Sequence, residues 1–206
     1  MFDVVVTTML RHRRLLCSAI VAVGLAGSAH AAGADLLSQE MCKDVMPQVA
    51  RAYAGVLDPV RRAGHCIAGD FNGDGKPDVI MVVKVLVAQL PAGAGVTTLY
   101  PFSEKASAKG RLQFLVLHST ARSAQDDLAR YDKLLLDGNS PIMVLRHADM
   151  ASDMKRVTPR SPEIKELQVP ARSLRGEAVY LGTEAVSALL YWNGKTYVFH
   201  EDPAGP

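Results

Sequence analysis

Oxygen-bearing side chains recur at alternate positions in one short segment, Gly69-Asp70-Phe71-Asn72-Gly73-Asp74-Gly75-Lys76-Pro77-Asp78. With Asp70 as position 1, Asn72 stands at position 3, Asp74 at position 5 and Asp78 at position 9. Calcium is a hard cation that takes about six to eight oxygen ligands, many of them carboxylate. A loop with carboxylates and amides at alternate positions turns those oxygens to one side. Gly75 at position 6 permits the sharp turn, and the Lys76 carbonyl can serve at position 7. Asp70, Asp74 and Asp78 set three negative charges against a dication, and without an ion they repel one another at close range. The expected ligands are therefore Asp70, Asn72, Asp74, Lys76 through its carbonyl, and Asp78. A solvated Asp/Asn/Gly turn is the simpler alternative. Magnesium suits the loop less well, because it prefers fewer protein ligands and more water.

An EF-hand loop closes with a bidentate Glu at position 12, where this chain has Met81. The chain enters a strand where an EF-hand enters its second helix. The segment GDFNGDGKPD resembles instead the calcium loop of FG-GAP and VCBS repeats. The likeness extends to Gly64-His65-Cys66-Ile67-Ala68-Gly69-Asp70 and, later, to Gly182-Thr183-Glu184-Ala185 with Leu190-Tyr191-Trp192-Asn193-Gly194-Lys195. Together these are similar to a group of uncharacterised secreted bacterial proteins with a single such loop. That resemblance implies calcium ligands at Asp70, Asn72, Asp74 and Asp78. It also implies pairing of the cysteine before the loop with one in the N-terminal helical region. It implies no propeller, which takes at least about four blades, and no catalytic residue.

Other reactive residues give weaker signals. Cys42 and Cys66 are the two cysteines beyond residue 31, without a Cys-x-x-Cys spacing, and in an oxidising compartment they are expected to form a disulfide. Closing a loop of about 25 residues stabilises a fold by roughly 3.5 kcal/mol in the chain-entropy model. His65, His118, His147 and His200 have no HExxH-like ligand spacing. There is no Gly-x-Ser-x-Gly elbow and no P-loop. Glu184 reads as a strand-start carboxylate accepting backbone hydrogen bonds rather than as a catalytic acid. Tyr191, Trp192, Tyr197 and Phe199 read as cross-strand packing rather than as a stacking surface for a ligand.

Several elements must position the loop. Val45, Val49, Ala52 or Tyr53, and Val56 repeat at helical spacing and predict a helix starting near Asp44 or Met46, because Pro47 suits only a first turn. Asp58-Pro59 is expected to end it. Asp78 to Ala88 is nearly continuously apolar and predicts a buried strand. Further strands are predicted at Arg111–His118, Ile142–His147, Glu177–Leu181, Ala185–Trp192 and Lys195–His200. Asn193-Gly194 predicts a type I′ hairpin turn. Asp149 to Arg175 reads as a long polar surface connection.

The N-terminus sets the compartment. Arg11, His12, Arg13 and Arg14 precede an apolar run from Leu15 to about Ala29, and Ala29-His30-Ala31 offers a small-x-small cleavage site. Residues 1–31 are expected to be a signal peptide and 32–206 a single globular domain of about 175 residues. Whole-chain counts of 23 basic and 21 acidic residues become 20 and 20 once Arg11, Arg13, Arg14 and Asp3 are removed. A neutral chain gives no support for nucleic-acid binding, and no second apolar segment is long enough to span a bilayer.

The expected architecture is α+β, an N-terminal helix packed on a mainly antiparallel β-sheet with a C-terminal β-hairpin. The expected function is that of a periplasmic or secreted calcium-binding domain, not an enzyme, with a structural Ca2+. Its expected partner is a protein or glycan at the cell envelope, with no stable membrane insertion after signal cleavage. The alternatives are a periplasmic hydrolase with a site assembled from scattered residues, and an inhibitor of a secreted enzyme.

Overall fold

The computed structural model describes residues 36–99, 110–120, 128–136, 154–182 and 187–202. The expected signal peptide, Ile142–His147 and Glu184 lie outside the described residues. Two compact units divide the chain, Met1–Ser38 and Gln39–Pro206. Residues 36–52 are helical (α1). Among the described residues ten strands follow: β1 Leu57–Pro59, β2 Cys66–Gly69, β3 Asp78–Val85, β4 Thr97–Leu99, β5 Leu112–Ser119, β6 Tyr131–Leu136, β7 Met154–Val157, β8 Ala178–Gly182, β9 Ser187–Trp192 and β10 Tyr197–Glu201. A short helix, Pro162–Glu166 (α2), separates β7 from β8.

The α+β class holds, with the strands divided between two sheets. The first has the order β1-β3-β5-β6-β4, with β2 also paired to β3. Leu57 to Pro59 pair with Val85 to Val83, and Cys66 to Gly69 pair with Met81 to Asp78. So β1 and β2 run end to end along one edge of β3. All pairings in this sheet are antiparallel except β4 with β6. The second sheet is the antiparallel series β10-β9-β8-β7, ending in the expected C-terminal hairpin.

Period-two alternation along β3 explains its uninterrupted apolar sequence. Val79, Met81, Val83 and Val85 face Val45, Val49 and Tyr53 of the α1 region. Ile80 and Val82 face the other way, into a core shared with Phe114, Val116, Val179, Leu181, Leu190 and Tyr197. Both faces of the strand are covered, so every position but the exposed Lys84 is apolar or buried. A third core, of Val157, Ile164, Leu167, Val169, Leu174, Ala178, Leu189 and Tyr191, covers the far face of the second sheet.

Three local expectations are corrected. The helix begins well before Asp44 and runs through Pro47, whose missing N–H leaves the Lys43 carbonyl without its usual donor. Cys42, Val45, Val49 and Tyr53 are buried against the first sheet, and that packing outweighs a proline penalty of about 3 kcal/mol. Asp58-Pro59 does not end the helix but lies in β1. The stretch Asp149 to Arg175, read as a surface connection, contributes β7, α2 and most of the third core from its described part. Its apolar residues were hidden among charges and prolines, one of which, Pro162, starts α2, where its lost N–H matters least.

The hairpin turn also differs from type I′. Tyr197 pairs with Trp192, leaving residues 193–196 in the turn. Gly194 has φ +98°, while Asn193 is not among the positive-φ residues. Asn193 Oδ1 instead accepts the N–H groups of Lys195 and Thr196 at 2.9 and 3.0 Å, so its side chain builds the turn.

Candidate functional site

The acidic loop connects β2 to β3, both in the first sheet. The pairing of Gly69 with Asp78 closes its base. Within it, Asp70 Oδ1 accepts the N–H groups of Gly73 and Asp74 at 2.8 and 3.0 Å, and Oδ2 accepts that of Gly75 at 3.0 Å. Asn72 Oδ1 accepts the same Asp74 N–H at 2.9 Å. Asp74 Oδ1 accepts the Lys76 N–H, also at 2.9 Å. Gly75 has φ +81°, as its turn position requires. The side-chain oxygens of Asp70, Asn72 and Asp74 are therefore gathered over the loop's own amides.

Asp74 carries a competing cation of the chain itself. Lys76 Nζ lies 3.5 Å from Asp74 Oδ2, with both side chains well exposed, so the pair is weak and readily displaced. Burial acts to raise the Asp74 carboxyl. The Lys76 N–H, the Lys76 ammonium and Asn72 together outweigh it and hold the group below the usual carboxylate range.

Asp78 has a different place. It is fully buried. Its Oδ2 accepts the N–H groups of Phe71 and Asn72 at 3.1 and 3.2 Å, and its Oδ1 that of Ser119 at 2.9 Å. One carboxylate thus joins the start of the loop to the end of β5. Burial pushes its pKa up to about 7, against the three N–H donors and with the Asp74 charge adding to the rise. Three N–H groups occupy most of the roughly four lone-pair sites of a carboxylate, leaving about one for a cation.

Among the described residues no three His, Cys, Asp or Glu side chains are gathered as a metal centre would gather them. The donor set does fit a hard cation in its chemistry. Asp70, Asn72 and Asp74 offer side-chain oxygens on one loop, Lys76 offers a carbonyl, and Asp78 stands behind them.

Cys42 on α1 and Cys66 at the start of β2 form the expected disulfide, with Cα atoms 5.9 Å apart. It ties the helix to the strand that leads into the loop. Among the described residues, His65, His118 and His200 do not converge on one centre. His65 is buried. His200 Nε2 meets the Leu167 carbonyl at 3.0 Å. His118, on β5, has Nε2 2.6 Å from the Tyr197 hydroxyl on β10, so this hydrogen bond joins the two sheets. Trp192 packs edge-on to the His118 ring with centroids 5.6 Å apart. Burial lowers the His118 pKa and raises that of Tyr197 well above its ordinary value, with the charges of Asp78 and Asp70 adding to the rise. Trp192 and Tyr197 are therefore packing residues, as expected.

Sequence reasoning missed Ser119 and Glu177. Ser119 acts through its backbone N–H, which no residue type announces. Glu177 accepts the Asp70 N–H on Oε2 at 2.9 Å from 107 positions away, a pairing without any local signal.

No protein-family model, curated protein or solved structure matches the chain. Among the described residues no helix is long and apolar enough to cross a membrane.

Proposed function

We propose that this chain is an exported, non-enzymatic domain of the FG-GAP/VCBS calcium-loop kind, in which one structural Ca2+ stiffens a surface that recognises a protein or glycan at the cell envelope. Asp70, Asn72 and Asp74 hold the ion with the Lys76 carbonyl, and Asp78 supports the set from beneath. The observation that carries this reading is the gathering of the Asp70 and Asn72 oxygens on a single N–H, that of Asp74. These two oxygens, with the Asp74 carboxylate two positions on, are hard donors of the kind calcium takes. The Cys42–Cys66 disulfide supports a periplasmic or secreted location, since such bonds persist in oxidising compartments.

Calorimetric titration with calcium tests the reading. Wild type is expected to bind one ion with a dissociation constant on the order of 10⁻⁴–10⁻³ M, the range of extracellular modules. Asp74→Ala is expected to lose at least tenfold. A pull-down from envelope extract should then enrich a partner with calcium and lose it with Asp74→Ala. Equal calorimetric traces for the two proteins would dismiss the ion.

A further inference from the structure

The segment Arg175-Gly176-Glu177, which leads into β8, grips the acidic loop from outside. Glu177 brackets Asp70 on both sides of that residue's backbone. Its N–H donates to the Asp70 carbonyl at 2.7 Å, and its Oε2 accepts the Asp70 N–H at 2.9 Å. Gly176 lies flat against the loop, where a Cβ would overlap the Asp70 carbonyl oxygen and the Gly73 nitrogen. Gly73 has φ +77°, and a Cβ there would overlap the Arg175 carbonyl. The two glycines are therefore a matched pair, each permitting the other's approach.

The gripping segment is itself held by the second sheet. The Arg175 N–H donates to the Trp192 carbonyl at 3.0 Å, fixing the segment to the end of β9. On β7, Arg156 places Nε 3.7 Å from Glu177 Oε1, and its Nη1 donates to the Ala68 carbonyl on β2 at 3.2 Å. The loop hangs from the first sheet, and each of these groups reaches it, or its base, from the second. Glu177 is poorly placed to be a cation ligand, because one oxygen is taken by an N–H and the other faces a guanidinium.

We infer that Arg175–Glu177 is the receptor for the acidic loop, with Glu177 as its positioning residue, so that the loop conformation presenting Asp70, Asn72 and Asp74 is set by docking of the second sheet. Order passes from Glu177 to the Asp70 backbone. It continues through the Asp70 carboxylate to the N–H groups of Gly73, Asp74 and Gly75. Cation binding and sheet docking then form one coupled equilibrium, in which each strengthens the other by the same factor. The coupling to a cation rests on the calcium reading; the docking does not.

The test compares wild type, Glu177→Ala, Glu177→Asp and Glu177→Gln, all well below their melting temperatures. Two readouts are used: calcium affinity by calorimetry and hydrogen exchange at the Gly73, Asp74 and Gly75 amides. Glu177→Ala should bind calcium roughly tenfold more weakly, the worth of one hydrogen bond to a charged acceptor. It should also exchange those amides at least tenfold faster. Glu177→Asp withdraws the acceptor by one methylene while keeping the charge, and should shift both readouts the same way even if the alanine variant fails to fold. Glu177→Gln retains an acceptor at full reach and should recover most of both. Unchanged affinity and exchange in a folded Ala or Asp variant overturns the inference. If wild type binds no calcium the ion reading fails, and the exchange rates alone still decide the docking.

Discussion

Asp78 links the loop to the sheet through three backbone N–H groups, and its burial sets up a pH dependence. The unfolded carboxyl gives up its proton near 3.8 and the folded one near 7, so between those values the folded state binds the extra proton. Stability from this group is fully present below the lower value and lost as pH rises to the upper one. A bound cation favours the charged form and works against that loss. The rise in melting temperature on adding calcium is therefore expected to be larger at about pH 8 than at about pH 5. An equal rise at both values would detach Asp78 from the ion. Asp78→Asn puts an amide where Oδ1 or Oδ2 accepted an N–H, and should cost about 1–3 kcal/mol of stability by denaturant titration. The turn itself was legible because its Asp, Asn and Gly residues bond one another's backbone within one short loop. Glu177 and Ser119 were not, because their partners are far along the chain and the groups involved include backbone.

At the scale of elements, packing decided what propensity left open. β3, β5 and the last three strands were readable from apolar runs, whereas β1, β2, β4 and β7 have only three or four residues each, too few for a pattern. Pro47 misplaced the helix start because its penalty is local and the compensating contacts are not. The α2 helix carries a similar conflict at its end. Gln168 has φ +55°, the one positive φ of a non-glycine among the described residues. Its N–H donates to the Lys165 carbonyl at 3.1 Å and the Val169 N–H to the Ile164 carbonyl, also at 3.1 Å. This is a helix stop in which glycine is the usual residue. Gln168→Gly relieves the strain while loosening the unfolded chain, and a net gain of about 0.5–1 kcal/mol is expected from denaturant midpoints. A loss of stability would mean that the Gln168 side chain makes a contact worth more than the strain.

From Gln39 onward the described residues form a stack: the α1 region on the first sheet, the first sheet on the second, and the α2 region on the far side of the second. The sequence announced a helix and strands but not that the strands divide, because alternation along one strand reports two covered faces without saying what covers them. The disulfide fastens the first interface beside the loop. The contacts of Glu177 and Arg156 with Asp70 and Ala68 fasten the second. A cation held in the loop, as proposed, would sit where the layers are joined and would stabilise the assembly of the described elements. Thermal unfolding in calcium and in excess chelator measures this directly. One cooperative transition is expected, moving up by several degrees at millimolar calcium, about 3 °C or more for roughly 1 kcal/mol of binding, and returning with chelator. A melting temperature unchanged by either addition would contradict it.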